Sequence, residues 1–156
     1  MSSRNLRPGG WAEFQEFEPR AYCDDNTMPP DFCMVRFFEA VTSALRERLG
    51  WDVLVVDHLE ADLRGLGFVN VQRRAYRVPI GLWPRDPKRR DHAALFQEVL
   101  SEMLEGLLVK PMADGAPGLT REQVIELFQE VRRAMASRRV HSYLYAHFVI
   151  AQKPPA

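Results

Sequence analysis

Asp24, Asp25 and Thr27 set two carboxylates and a hydroxyl side by side, a combination that can bind a substrate, take up a proton, or fold back on its own backbone. The last use is common, because Asp and Thr in such runs close Asx-turns or cap the helix that follows. Both readings stay open. Tyr22 precedes them, and Tyr143 and Tyr145 lie near the other end of the chain. Their hydroxyls could meet an acceptor, although aromatic residues on strands are ordinary core. Trp83, in Gly81-Leu82-Trp83-Pro84, can wall a pocket or roof the core. Glu13 and Glu16 fall on opposite faces of an alternating stretch, which rules them out as a paired acid and base. His92 opens a helical run and reads as a surface residue. His141 and His147, on or beside one short element, are unsuited to sharing a metal. Cys23 and Cys33 have no His or Cys at zinc-ligand spacing beside them, so they read as reduced thiols, and no metal is expected.

The elements that must position these groups follow from periodicity. Pro8-Gly9-Gly10 is turn chemistry, and from Trp11 to Phe17 apolar residues alternate with Glu and Gln as in a strand with unlike faces. Asp24 to Pro30 is a loop, with Asp31 a plausible cap. Phe32, Val35, Phe38, Val41, Leu45 and Leu49 then mark a helix ending near Gly50. A shorter helix spans about Leu54 to Arg64, stopped by Gly65-Leu66-Gly67. Phe68 to Pro79 reads as a second strand. Leu95, Val99, Met103 and Leu107 mark a helix within Pro87 to Val109, and Thr120-Arg121-Glu122-Gln123 is a capping box for another that runs to Arg138. Ser142 to Gln152 is apolar at both alternations, which predicts a central strand.

At 156 residues with 46% hydrophobic content, the chain is long enough for one domain with a real core. Lys plus Arg equals Asp plus Glu at 21 each, so no global field recruits nucleic acid or an anionic membrane. The basic runs Arg85 to Arg90 and Arg132 to Arg139 read as solvated helix faces. No apolar run reaches the roughly 20 residues that span a bilayer. The expectation is an intracellular protein, cytoplasmic or nuclear, that binds neither nucleic acid nor membrane.

Several short runs share an order. They are Pro8-Gly9-Gly10-Trp11-Ala12-Glu13, Asp24-Asp25-Asn26-Thr27, Gly67-Phe68-Val69-Asn70-Val71, Pro79-Ile80-Gly81-Leu82-Trp83-Pro84, and an aromatic closing strand ending in Lys153-Pro154. In this order and spacing the chain resembles the second half of class I S-adenosylmethionine-dependent methyltransferases of the fungal LaeA-like and trans-aconitate-methyltransferase-like group. The resemblance implies an α/β, partial Rossmann-like fold. Strands five, six and seven of the family would form a small mixed sheet, the first two running parallel and the last inserted antiparallel between them. A helical insertion at about 87–138 would be a lid over the acceptor. It also implies methyl transfer to a small-molecule acceptor in fungal secondary metabolism, with Tyr22, Asp24, Asp25, Thr27 and Trp83 as acceptor-binding candidates beside the carboxyl ends of strands.

The family holds S-adenosylmethionine on a glycine-rich turn between a first strand and a helix, and that pattern is absent here. Val53-Leu54-Val55-Val56-Asp57 imitates the strand, but no glycine follows it. Gly65-Leu66-Gly67 precedes a strand instead of following one. Residues 1–156 are therefore expected to form one incomplete methyltransferase-like domain lacking the cofactor-binding half, with no cofactor binding by the chain alone. The alternatives are a non-catalytic interaction module or a truncated gene product. The Trp11 to Phe17 strand, without its family neighbour, is expected to be an open edge that recruits a protein partner or a second copy.

Overall fold

The computed structural model describes residues 5–155. In chain order the elements are β1 (Trp11–Tyr22), α1 (Cys33–Leu49), a 3-10 turn (Val55–Asp57) and α2 (Leu59–Gly65). They continue with β2 (Val69–Pro79), α3 (Pro87–Val109), α4 (Arg121–Ala136) and β3 (Tyr143–Gln152). The strands form one sheet in the order β1-β3-β2. The last strand is central, as its two apolar alternations predict. Lys153 at the end of β3 bonds Gly10 before β1, and Ser142 before β3 bonds Ile80 after β2. β3 is thus antiparallel to both neighbours. β1 and β2 point the same way with β3 antiparallel between them, as expected; because no parallel pair is bonded, the sheet is antiparallel rather than mixed.

The chain folds into two compact units. One gathers the chain up to Glu18, Leu54–Tyr76, and the chain from Tyr145. Here Leu59 and Leu63 of α2 lie against Ala12, Phe68, Val149 and Ala151 in a small apolar core. Beside it three polar side chains span the strands. Glu18 and His147 are buried, at 5% and 2% exposure. Glu18 Oε2 lies 2.8 Å from His147 Nε2, and Arg73 reaches His147 from β2 while donating Nη1–H to the Val56 carbonyl at 3.2 Å. Burying such groups is tolerable only because each finds a partner.

The other unit comprises Pro19–Val53 and Arg77–Leu144 and holds the larger core. α1 buries Met34, Phe37, Phe38, Val41 and Ala44 and packs against α4, where Phe37 meets Phe128 edge-on at 5.5 Å. The stripe expected from Phe32 to Leu49 is rotated: Val35 and Leu45 are half-buried and Leu49 is exposed. Phe32, not Asp31, is the N-cap residue, with no side-chain bond. Gly50 takes φ +66° and returns its N–H to Arg46, the left-handed stop that glycine favours. Thr120 and Gln123 form the expected capping box on α4, which ends at Ala136 instead of Arg138 because Ser137 is extended. β1 runs on past Phe17 to Tyr22.

α3 departs most from expectation. Its buried residues are Ala93, Leu100, Leu104 and Leu107, whereas Leu95, Val99 and Met103 are exposed. Only Leu107 of the expected stripe is covered.

Candidate functional site

In the larger unit, the loop after β1, the loop after β2 and the start of β3 converge on Asp25. Its Oδ1 accepts from the Thr27 hydroxyl at 2.8 Å, the Thr27 backbone N–H at 3.2 Å and the Cys23 thiol at 3.2 Å. The Asx-turn reading is therefore right as local geometry, and Asp25 does not cap α1. Its second oxygen, Oδ2, is met by His141 Nδ1 at 2.5 Å. Thr27 Oγ1 in turn accepts the His141 backbone N–H at 2.9 Å, which ties both ends of the pair to one hydroxyl. The His141 hydrogen bond above all, then those of Thr27 and Cys23, hold the Asp25 carboxyl far below the usual carboxylate range.

Trp83 lies on the imidazole of His141, with ring centroids 4.9 Å apart and planes tilted by 30°. Its Nε1–H donates to the Ser142 carbonyl at 2.9 Å, so the indole is anchored by its polar end. Gly81, at φ +94°, makes this loop possible, because a Cβ there would come within 3.2 Å of the Met135 and Ser137 carbonyls.

A second cluster adjoins the first. Asp24 Oδ1 accepts the Tyr143 hydroxyl at 2.7 Å and its Oδ2 pairs with Arg77. The Arg77 guanidinium sits 4.5 Å above the Tyr143 ring, which Tyr22 stacks at 5.8 Å. The Tyr143 bond first, and Arg77 after it, lower the Asp24 carboxyl against the opposing effect of desolvation. All five residues singled out from the sequence, Tyr22, Asp24, Asp25, Thr27 and Trp83, thus lie in these two clusters. His141, Tyr143 and Arg77 join them; the Tyr143 hydroxyl is among those the sequence marks out, whereas nothing local selects Arg77 or pairs His141 with a carboxylate.

A carboxylate can only accept, so His141 donates from Nδ1, and in the neutral ring Nε2 is then the acceptor. That is the orientation a general base requires, with Asp25 stabilising the imidazolium once it forms. Among the described residues no three His, Cys, Asp or Glu side chains are placed to share a metal ion. The fit to S-adenosylmethionine is poor. Among the described residues the strand-to-helix passage through a glycine is β2 to α3, and there Gly81 faces protein carbonyls at van der Waals range or closer, leaving no cradle for a ligand. No described helix is long and apolar enough to cross a membrane.

No family model matches the sequence. Individual proteins do. Over 152 residues, 96% of this chain, it is 29% identical to "Secondary metabolism regulator LAE1" of Cochliobolus heterostrophus, covering 49% of that protein. It is 29% identical over 150 residues to "Methyltransferase pytC" of Aspergillus terreus, covering 46% of it, and 26% identical over 152 residues to "Protein-methionine methyltransferase laeA" of Emericella nidulans, covering 40%. The chain spans about half the length, or less, of these curated relatives. Along 96% of its residues it is similar to the LaeA-like methyltransferases, the group that its Pro-Gly-Gly-Trp, Asp-Asp-x-Thr and Pro-Ile-Gly-x-Trp-Pro runs resemble.

Proposed function

We propose that this chain provides the acceptor side of an S-adenosylmethionine-dependent methyl transfer, corresponding to strands five to seven of a class I, Rossmann-like domain. In this reading the acceptor is a small molecule with an ionisable hydroxyl or similar group. Trp83 walls its site, α3 and α4 form the lid, and His141 Nε2 takes the acceptor's proton while Asp25 holds the ring. The observation that carries the reading is the Asp25–His141 pair, built by the loop after β1 and the segment leading into β3, on the sheet end where β1 and β2 present their carboxyl ends, the end at which α/β sheets bind ligands. The similarity to methyltransferases supports the reaction class. The residues described here do not suit the methyl donor, so its site would be supplied by a further segment, and the chain alone would bind it weakly or not at all.

The test is co-expression with a segment carrying the glycine-rich turn. Methyl transfer should appear, and His141→Gln should lower kcat by about 10²–10⁴-fold, the usual worth of a general base, with donor affinity unchanged. Equal losses in kcat and donor affinity, or no loss, would remove His141 from the proposed role. Micromolar donor binding by the chain alone would show that the donor site had been misplaced.

A second reading is an interaction module working through β1. That strand lies at the sheet edge and exposes Trp11 and Phe17 by about half, and open edges recruit further strands. Self-association abolished by Trp11→Lys, in protein without methyl-transfer activity after complementation, would favour it.

A further inference from the structure

α3 is apolar on two faces. Ala93, Leu100, Leu104 and Leu107 bury one of them, and Leu95, Val99 and Met103, at steps of four, place a second in solvent at 62%, 58% and 41% exposure. A surface helix normally turns its polar side outward, and a helix apolar all round is normally covered all round. The second stripe has a charged border. Asp91, Glu98 and Glu102 are exposed along its side, and among the described residues none of them has an ion-pair or side-chain hydrogen-bond partner, in contrast to Glu105, which Arg132 meets at 3.3 Å.

We propose that this face of α3 is a docking surface for a basic amphipathic helix of another protein, with apolar residues at helical spacing laid on Leu95, Val99 and Met103 and Lys or Arg residues beside Asp91, Glu98 and Glu102. The charge border selects the occupant. Two copies of α3 packed antiparallel about a two-fold axis bring the same flank of each helix together, so the acidic border would face itself. An anionic membrane is repelled by the same carboxylates. A helix with a basic flank meets both the apolar stripe and the unpaired charge.

The test uses the full chain and a fluorescent 18-residue helix of leucine and lysine, with a second peptide in which glutamate replaces every lysine. The lysine peptide is expected to bind saturably at one site, about tenfold or more tighter than the glutamate peptide. Val99→Asp should weaken it by about tenfold or more, and Glu98→Lys with Glu102→Lys should weaken the lysine peptide while strengthening the glutamate one. Leu66→Asp, at an exposed leucine outside α3, should change nothing, and circular dichroism checks that each variant is folded. Equal weakening by Leu66→Asp, or no discrimination between the peptides, would overturn the proposal. So would a dimer of the chain alone that Val99→Asp dissociates, since the occupant would then be a second copy.

Discussion

Arg73 donates its Nε–H to Nδ1 of the buried His147 at 2.9 Å. Nδ1 must therefore accept, so His147 is the neutral tautomer with its proton on Nε2, donated to Glu18 2.8 Å away. Glu18→Ala leaves that buried N–H without its acceptor, and should cost about 1–3 kcal/mol in urea unfolding. Glu18→Gln, which keeps an acceptor, should cost clearly less. Nitrogen-proton correlation spectra of His147 should show the Nε2–H form, and an Nδ1–H form would contradict the assignment.

The lowered carboxyl of Asp25 links stability to pH. A carboxyl depressed in the folded state contributes stability that is present above its unfolded value of about 3.9 and is lost as pH falls through the folded value. Thermal melts should therefore fall progressively below about pH 4. The Asp25→Asn melt should fall less steeply over that acid window, since it has no carboxylate to protonate there. Parallel profiles for the two proteins would show that the bond to His141 is not maintained in solution.

Phe37 and Val99 test the two kinds of helix face. Phe37 is wholly buried, and Phe37→Ala should cost about 3–5 kcal/mol through lost contacts and the cavity left behind. Val99 is exposed, and Val99→Ala should fall within about 0.5 kcal/mol of the parent. A large loss at Val99 would mean that its face is covered in the isolated protein.

Gly115 and Gly118 separate backbone strain from crowding. Both have positive φ, +103° and +76°, but a Cβ at Gly115 would lie 2.4 Å from the Leu119 carbonyl oxygen and one at Gly118 meets nothing within 4 Å. Gly118→Ala should cost about 1–2 kcal/mol, the conformational penalty alone. Gly115→Ala should cost about 3 kcal/mol or more, because the bridge between Ala116 and Leu119 must open to admit the methyl group. Equal costs would show that this turn relaxes freely.

What could be read in the sequence depended on the range of the interaction. The capping box at Thr120 and Gln123 and the stop at Gly50 were legible because both partners lie within a turn of each other. The central position of β3 was legible because both of its alternations are apolar. α3 was half legible. Its periodicity fits two stripes, and nothing local says which of them the rest of the chain covers. The site divided in the same way. The Asx-turn from Asp25 to Thr27 is local, whereas His141 and Arg77 come to Asp25 and Asp24 from the far end of the chain and from the opposite edge strand. Spacing along the chain compares His141 only with His147, whereas its partner is a carboxylate from another loop.

The separation of Asp25 from His141, 116 residues, has a consequence for biosynthesis. At about 5–20 residues per second, roughly 6–23 s elapse between the two leaving the ribosome's catalytic centre. Through that interval Asp25 can close its turn on Thr27, but no imidazole exists for its second oxygen, and β1 has no central strand to pair with. A nascent chain arrested before Val140 should therefore hold β1 unpaired and open to holdase chaperones, and completion of β3 should release it in the same step that forms the Asp25–His141 pair.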